Sequence, residues 1–150
     1  MSYSTIEARI QTLIQALDDY ESADVTRGDY RVLDRGSAPY VVLRSGSFER
    51  MPHTFAGGRK TEWTVIVELF EKHIGDGTEQ TNLETHRQNI VDAADAYPTL
   101  NGLSGVHFAT LSSGEIPRPV YDAEGYGPFF LLQIMKWEVM ELTTATGGEW

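Results

Sequence analysis

The side chains of this sequence that could bind a metal ion are four histidines and many carboxylates. A zinc site needs at least three converging ligands, often with a recognisable spacing such as two histidines four residues apart on a helix. His53, His73, His86 and His107 show no such spacing, and the chain has no cysteine to supply a thiolate. The sequence therefore predicts no metal site and no cofactor, with the histidines either solvated or in the core.

Paired carboxylates could act as a general acid and base if they were close enough to share a proton. Glu68 and Glu71 are three residues apart in a predicted strand, and so are Glu138 and Glu141, which places each pair on opposite faces. The chain also lacks the GxSxG turn of serine hydrolases, the Walker A loop and the GxGxxG turn. No catalytic residue is predicted, although an acid–base enzyme without a local motif stays open as an alternative.

The segment from Arg44 to Lys60 has the composition of an interaction surface. Its four basic side chains are interleaved with Phe48, Met51 and Phe55, and aromatic residues, Met and Arg are enriched at protein interfaces. An ordinary exposed loop with charges balanced by nearby acids is the other interpretation. Gly46, Pro52, Gly57 and Gly58 predict strand pieces joined by a long hairpin arm. The candidate subunit or tube interface in this arm comprises Arg44, Phe48, Arg50, Met51 and Phe55.

The net charge of −10 is unevenly distributed along the 150 residues. Residues 1–60 sum to zero, whereas residues 61–150 carry fourteen acids and only four bases. Affinity for nucleic acid comes largely from Lys and Arg that neutralise phosphates. The sequence therefore disfavours direct binding of DNA, and an acidic surface is compatible with DNA that must slide past it.

Two amphipathic helices are predicted. The first spans about Thr5 to Tyr20, with Ser4 and Glu7 as a capping box, and places its apolar side chains in one stripe. The second spans about Asn82 to Tyr97, begins at a Thr81–Glu84 capping box and ends before Pro98.

Strands are predicted at about 40–43, 63–70, 106–112 and 129–142, and residues 113–128 are predicted to be a loop. The order of helices and strands indicates one α+β domain over residues 1–150. It would contain a mainly antiparallel sheet of four or five strands with two helices packed on it. Residues 143–150 are predicted to be a flexible tail.

The last predicted strand starts with apolar residues on both faces: Phe129 and Leu131 on one, Phe130 and Leu132 on the other. A strand half exposed to solvent would alternate, so both faces are expected to be covered by helices or by a neighbouring subunit. Phe129 and Leu131 therefore join the candidate interface.

Taken together, the residues resemble the tail terminator, or tail completion, proteins of long-tailed bacteriophages. The resemblance rests on the first helix, the strand Trp63–Phe70 and the end of the second helix at Ala96-Tyr97-Pro98-Thr99-Leu100-Asn101-Gly102. It continues through the loop Ile116-Pro117-Arg118-Pro119 and the closing strand, and covers about residues 4–142.

This resemblance implies a structural protein of the virion with no active site, made in the host cytoplasm. Such proteins form a hexameric ring on the end of the tail tube, stop its polymerisation and present a surface to the head. The implied partners are further copies of the chain, the tail tube protein and a head-completion or neck protein, while DNA passes through without specific binding.

A small α+β enzyme or ligand-binding domain with a pocket against the sheet is the alternative function. A convergent polar pocket lined by His107 and Glu138 would favour it, whereas a ring with a central pore would favour the tail terminator.

Overall fold

The computed structural model describes residues 2–28, 39–52, 58–72, 77–121 and 128–143. Within them the chain forms two α-helices, one 3₁₀ turn at Ser22–Asp24 and six strands. The elements are, in chain order, α1 (Tyr3–Gln15), β1 (Val25–Arg27), β2 (Tyr40–Pro52), β3 (Arg59–Lys72), α2 (Thr78–Ala96), β4 (Val106–Gly114), β5 (Arg118–Tyr121) and β6 (Pro128–Thr143). None of the helices in these ranges is long and apolar enough to cross a membrane.

The six strands form one mostly antiparallel sheet in the order β1-β2-β3-β6-β4. The short strand β5 also pairs with β6, next to its first residues, whereas β4 pairs with the later part of β6. Only β1 runs parallel to its neighbour. The fold is thus α+β, as predicted, with one strand more than expected. The two short strands β1 and β5 were not predicted.

Both helices pack on the same face of the sheet, called here the helix face. Ile6, Ile10 and Ile14 of α1 are fully buried there, and α2 contributes Leu83 and Ile90. Alternate residues of the central strands complete this main core: Val41, Leu43, Val65, Val67, Leu69, Met135, Trp137 and Val139. Burial of each large apolar side chain contributes about 1.5–3 kcal/mol, which is why the apolar stripes determine how the helices lie.

The helix boundaries correct the predicted caps. The Oγ of Ser2, not of Ser4, accepts the capping hydrogen bond from the Thr5 N–H, because α1 already begins at Tyr3. The second helix begins at Thr78 after Gly77, whose φ of +86° favours glycine. The predicted capping boxes therefore lie inside the helices, while the end of α2 before Pro98 is confirmed.

The predicted arm is more regular than expected. Strand β2 continues to Pro52 and β3 begins at Arg59, and the two pair along this length with one irregularity between Ser45 and Phe48. Gly46 lies at this bulge and Pro52 at the end of its strand, positions at which both residue types are compatible with a sheet.

A turn after α2 closes part of the outer edge of β4. The N–H of Ala109 donates to the carbonyl of Pro98 at 2.7 Å. Leu100 and Asn101 in this turn both have positive φ, and the Arg9 guanidinium of α1 donates to both of their carbonyls. These hydrogen bonds hold a backbone conformation that costs about 1–3 kcal/mol for each such non-glycine residue.

Candidate functional site

The tip of β2 presents an exposed aromatic side chain. Phe48 is 61% exposed and its ring contacts the Trp63 ring at a centroid distance of 5.3 Å. The bulge causes this contact: the extra residue shifts the alternation, so Phe48 shares the helix face with Trp63. Glycine is required at the bulge because a Cβ on Gly46 would lie 2.7 Å from the Thr64 carbonyl oxygen.

The Trp63 ring that contacts Phe48 also contacts an aromatic side chain of α1. Trp63 contacts Tyr3 at 5.7 Å between ring centroids, and its indole N–H donates to the buried Glu141 carboxylate at 3.1 Å. The Tyr3 hydroxyl donates to Glu7, and burial together with this carboxylate raises the pKa of Tyr3 far above its usual value. Trp63 is thus held in place by two contacts, whereas the Phe48 ring that contacts it is mostly exposed to solvent.

The other predicted arm residues have different surroundings. The Arg44 guanidinium forms an ion pair with Glu68 of β3, a carboxylate that is only 5% exposed. Arg44 thus supports the sheet from within the chain. Arg50 is exposed and Met51 half-buried, while Phe55 lies outside the described residues.

The start of β6 is covered by the chain itself. Phe130 and Leu132 are buried in a second apolar cluster with Tyr40 and Phe70 on the face opposite the helices. Leu131 is partly buried against the main core. Phe129 lies in β6, but its side chain is outside the described part. The predicted coverage of both faces is confirmed for these three residues, and it requires no neighbouring subunit.

On the same face, opposite the helices, the far end of the sheet is open. A cleft of about 470 Å³ lies across four strands there. It is called the open-face cleft and is lined by Ser47, Phe48, Glu49, Glu62, Trp63, Thr64, Phe108, Thr110, Glu138, Val139 and Met140. By the register, Phe48, Trp63 and Val139 are helix-face residues that border this cleft, whereas the carboxylates, Phe108 and Met140 lie on the open face. Phe108 is 50% exposed and lies opposite Met140 in the register, so the two form an apolar patch beside the carboxylates.

A third exposed feature was not predicted as functional. Ile116, between β4 and β5, is 88% exposed and is the most exposed of the large apolar side chains in the described part of the chain. The signal in the sequence is this lone apolar residue in a loop that is otherwise polar and proline-containing.

His86 joins three parts of the chain. His86 of α2 lies between two carboxylates, with Glu71 of β3 at 2.6 Å from Nδ1 and Asp19 at 3.7 Å from Nε2. The hydrogen bond to Glu71 raises the pKa of His86 above its usual value, against the effect of burial. The Asp19 carboxylate also accepts a hydrogen bond from Asn89. This cluster ties the segment after α1 to α2 and the sheet.

Two further kinds of chemistry were considered in the sequence analysis: a metal site and a polar pocket lined by His107 and Glu138. Among the residues that the structure describes, no group of three or more His, Asp or Glu side chains could hold a metal ion. Glu138 lines the open-face cleft, but His107 is not among its lining residues and is exposed. The pair that would favour an enzyme or ligand-binding domain is therefore not brought together in this cleft. His53 and His73 lie outside the described ranges.

Comparison with known proteins finds no family model that matches this chain and no curated protein that matches it. Its function is therefore inferred from its own residues and their arrangement.

Proposed function

We propose that the chain is a structural protein of a long-tailed bacteriophage: a tail terminator that forms a ring of six copies on the end of the tail tube. The ring ends polymerisation of the tube and provides the surface to which a head-completion or neck protein binds. The chain has no catalytic role in this proposal. It would function in the virion, at the junction of tail and head.

The observation that carries the proposal is the exposed Phe48 on the tip of β2. An aromatic ring that is 61% exposed, on a regular paired strand and beside the exposed Arg50, is typical of an interface anchor. This exposure supports the proposal that the arm contacts another subunit or the tube.

A second observation supports assembly of identical copies in a ring. Large exposed apolar side chains occur at separate places on the chain. Phe48 and Phe108 border the open-face cleft, whereas Ile116 lies just before β5 and Tyr121 at its end. Contacts between two different surfaces of identical subunits are head-to-tail, and such contacts close into rings when the rotation between copies allows it. The number six comes from the family resemblance.

The charge of the chain is compatible with DNA passing through such a ring. Each copy carries a net charge of −10, so phosphate backbones are repelled and the passing DNA would not be held.

Electron microscopy of tails assembled with this chain tests the proposal. Antibody fragments or a fused density marker on the chain should label a single ring with a central pore at the head-proximal end of the tube. Tubes assembled without the chain should lack this ring and grow beyond their normal length. Tails in which the chain is monomeric, or tubes that stop at normal length without it, would contradict the proposal. Genes for tail tube and head-completion proteins beside the coding sequence would be independent support.

A further inference from the structure

We propose that the corner Ile116–Arg118 of one copy docks into the open-face cleft of the next copy. This inference rests on the proposed ring and specifies the contact between its subunits. It joins an exposed apolar and basic corner to an apolar and acidic cleft, both of which lie on the same chain.

The corner is held ready for binding by hydrogen bonds at its base. The Glu115 N–H donates to the Ile134 carbonyl at 2.8 Å, and the Glu115 carbonyl accepts from the Gln133 side-chain amide, also at 2.8 Å. Gln133 is buried and is itself held by the Arg87 guanidinium at 3.1 Å. Pro117 restricts the backbone directly after Ile116. Little conformational entropy is therefore lost when this corner binds a partner.

The cleft offers two kinds of contact. Phe108 and Met140 form its apolar patch, and Glu49, Glu62 and Glu138 line it with carboxylates. Glu62 is paired with Lys60 at 3.4 Å. For Glu49 and Glu138, no ion pair with another described residue is found. An occupant that combines an aliphatic side chain with a cation would fit both parts of the cleft.

The corner has this combination. Arg118 lies opposite Leu132 in the register, so its side chain is on the same face as the cleft. It is exposed, and within the described ranges no carboxylate pairs with it. Ile116, two residues before it, supplies the aliphatic group. Hydrogen-bonded pairs of Arg with a carboxylate are the stronger kind of ion contact, and charge complementarity of this type determines which surfaces meet.

The corner cannot reach the cleft of its own chain. Arg118 is aligned with Leu132 and the cleft residue Glu138 lies six residues further along β6, a distance of roughly 20 Å at about 3.3 Å per residue. The contact must therefore be made between copies. Because corner and cleft are different surfaces, it is a head-to-tail contact of the kind that closes a ring.

Engineered cysteines provide the test, because the chain has none of its own. Two single variants, Arg118→Cys and Glu138→Cys, are mixed under mild oxidation in assembled tails and as concentrated free protein. We expect a disulfide-linked dimer in the mixture and none in either variant alone. The double variant should give a ladder of linked copies up to six. A disulfide within one chain is excluded by the separation of the two positions.

Charge reversal provides a second, independent test. Arg118→Glu should reduce the fraction of copies in rings by about tenfold or more, and the added substitution Glu138→Arg should restore it. Lys72→Glu is the matched control, since Lys72 is an exposed base at the same end of the sheet as Arg118 but lies on β3, outside the corner. If the contact is specific to the corner, this change of charge should leave assembly unchanged. Because Arg118 and Lys72 are both exposed, the melting temperatures of Arg118→Glu and Lys72→Glu should resemble that of the wild type.

The outcomes separate this inference from the proposed function. Rings without cross-links in the mixture, or rings unaffected by Arg118→Glu, overturn the docking of the corner and leave the ring proposal intact. Absence of both rings and cross-links overturns both. Cross-linked copies without rings support the docking contact and contradict the tail terminator.

Discussion

Nδ1 of His86 lies 2.6 Å from the carboxylate of Glu71, a side chain that is only 3% exposed. The two residues come from α2 and β3, and Asp19 approaches the other ring nitrogen from the segment after α1. A single imidazole side chain thus connects three parts of the chain.

We expect the stability of the protein to fall as the pH rises from near neutrality. The folded-state pKa of His86 is raised, chiefly by the Glu71 hydrogen bond. The stabilisation is therefore fully present below the unfolded pKa of about 6.5, and it is lost as the pH rises through the folded pKa. Urea unfolding at a series of pH values measures this dependence.

The matched variant for this test is His86→Gln, which has no group that titrates in this range. It should lower the free energy of unfolding by about 1–3 kcal/mol, since the Glu71 carboxylate loses a charged partner. The difference from wild type should shrink as the pH rises. A constant difference across the pH series would contradict the assignment.

Arg44 and Arg50 should respond differently to removal of the side chain. Arg44→Ala leaves the buried Glu68 carboxylate without its guanidinium and should cost about 1–3 kcal/mol of stability. Arg50→Ala removes an exposed side chain and should change stability by less than about 0.5 kcal/mol. Chemical denaturation of the two variants decides the matter. Equal effects would show that the Arg44 ion pair contributes nothing to the fold.

The tip of β2 should be dispensable for folding and required for assembly. Replacing Phe48, Arg50 and Met51 together by Ser should lower the melting temperature by only a few degrees, because Phe48 and Arg50 are exposed and Met51 is half-buried. The same variant should fail to form rings or to join the tube in the electron microscope.

Phe70→Ser is the control for this prediction. Phe70 is buried and stacks on Tyr40 with a centroid distance of 4.7 Å, so its replacement should cost about 3–5 kcal/mol. If the triple variant unfolds as Phe70→Ser does, then the tip belongs to the core and its assignment to an interface is wrong.

The free protein should show no measurable binding of double-stranded DNA at physiological salt. A net charge of −10 per copy opposes the approach of phosphates, and the repulsion grows with each copy added to a ring. Gel-shift assays over a range of salt concentrations measure this. A shifted band that weakens steeply as salt is added would instead identify the basic β2–β3 hairpin as a DNA contact.

Local patterns were sufficient to predict both helices and the central parts of β3, β4 and β6, but not the length of β2, which was predicted only over 40–43, nor the end of α1 at Gln15. The apolar spacing of α1 and α2 and the alternation around Trp63–Leu69 each specify a buried face without reference to the rest of the chain. The short strands β1 and β5 have three and four residues, too few for a periodic signal. They form because neighbouring strands offer hydrogen-bonding edges, which is a property of the assembled sheet.

The candidate site was predictable only in part for the same reason. Phe48 and Arg50 were identified from composition, but composition does not distinguish them from Arg44, whose partner Glu68 is 24 residues away. The open-face cleft depends on the alignment of β2, β3, β6 and β4, and the exposure of Ile116 depends on the hydrogen bonds of Glu115. Neither follows from local sequence.

The hydrogen bond from Ala109 to the Pro98 carbonyl has a consequence for aggregation. An endless ribbon of copies would require the β1–β2 side of the sheet in one copy to pair with the outer edge of β4 in the next. Because Pro98 already occupies that edge at Ala109, strand addition there must first break a formed hydrogen bond. Fibril growth by addition of strands is thereby hindered at this edge of every copy. Association of copies through side-chain contacts is then favoured over strand pairing, and in a closed particle of finite size every such contact can be formed.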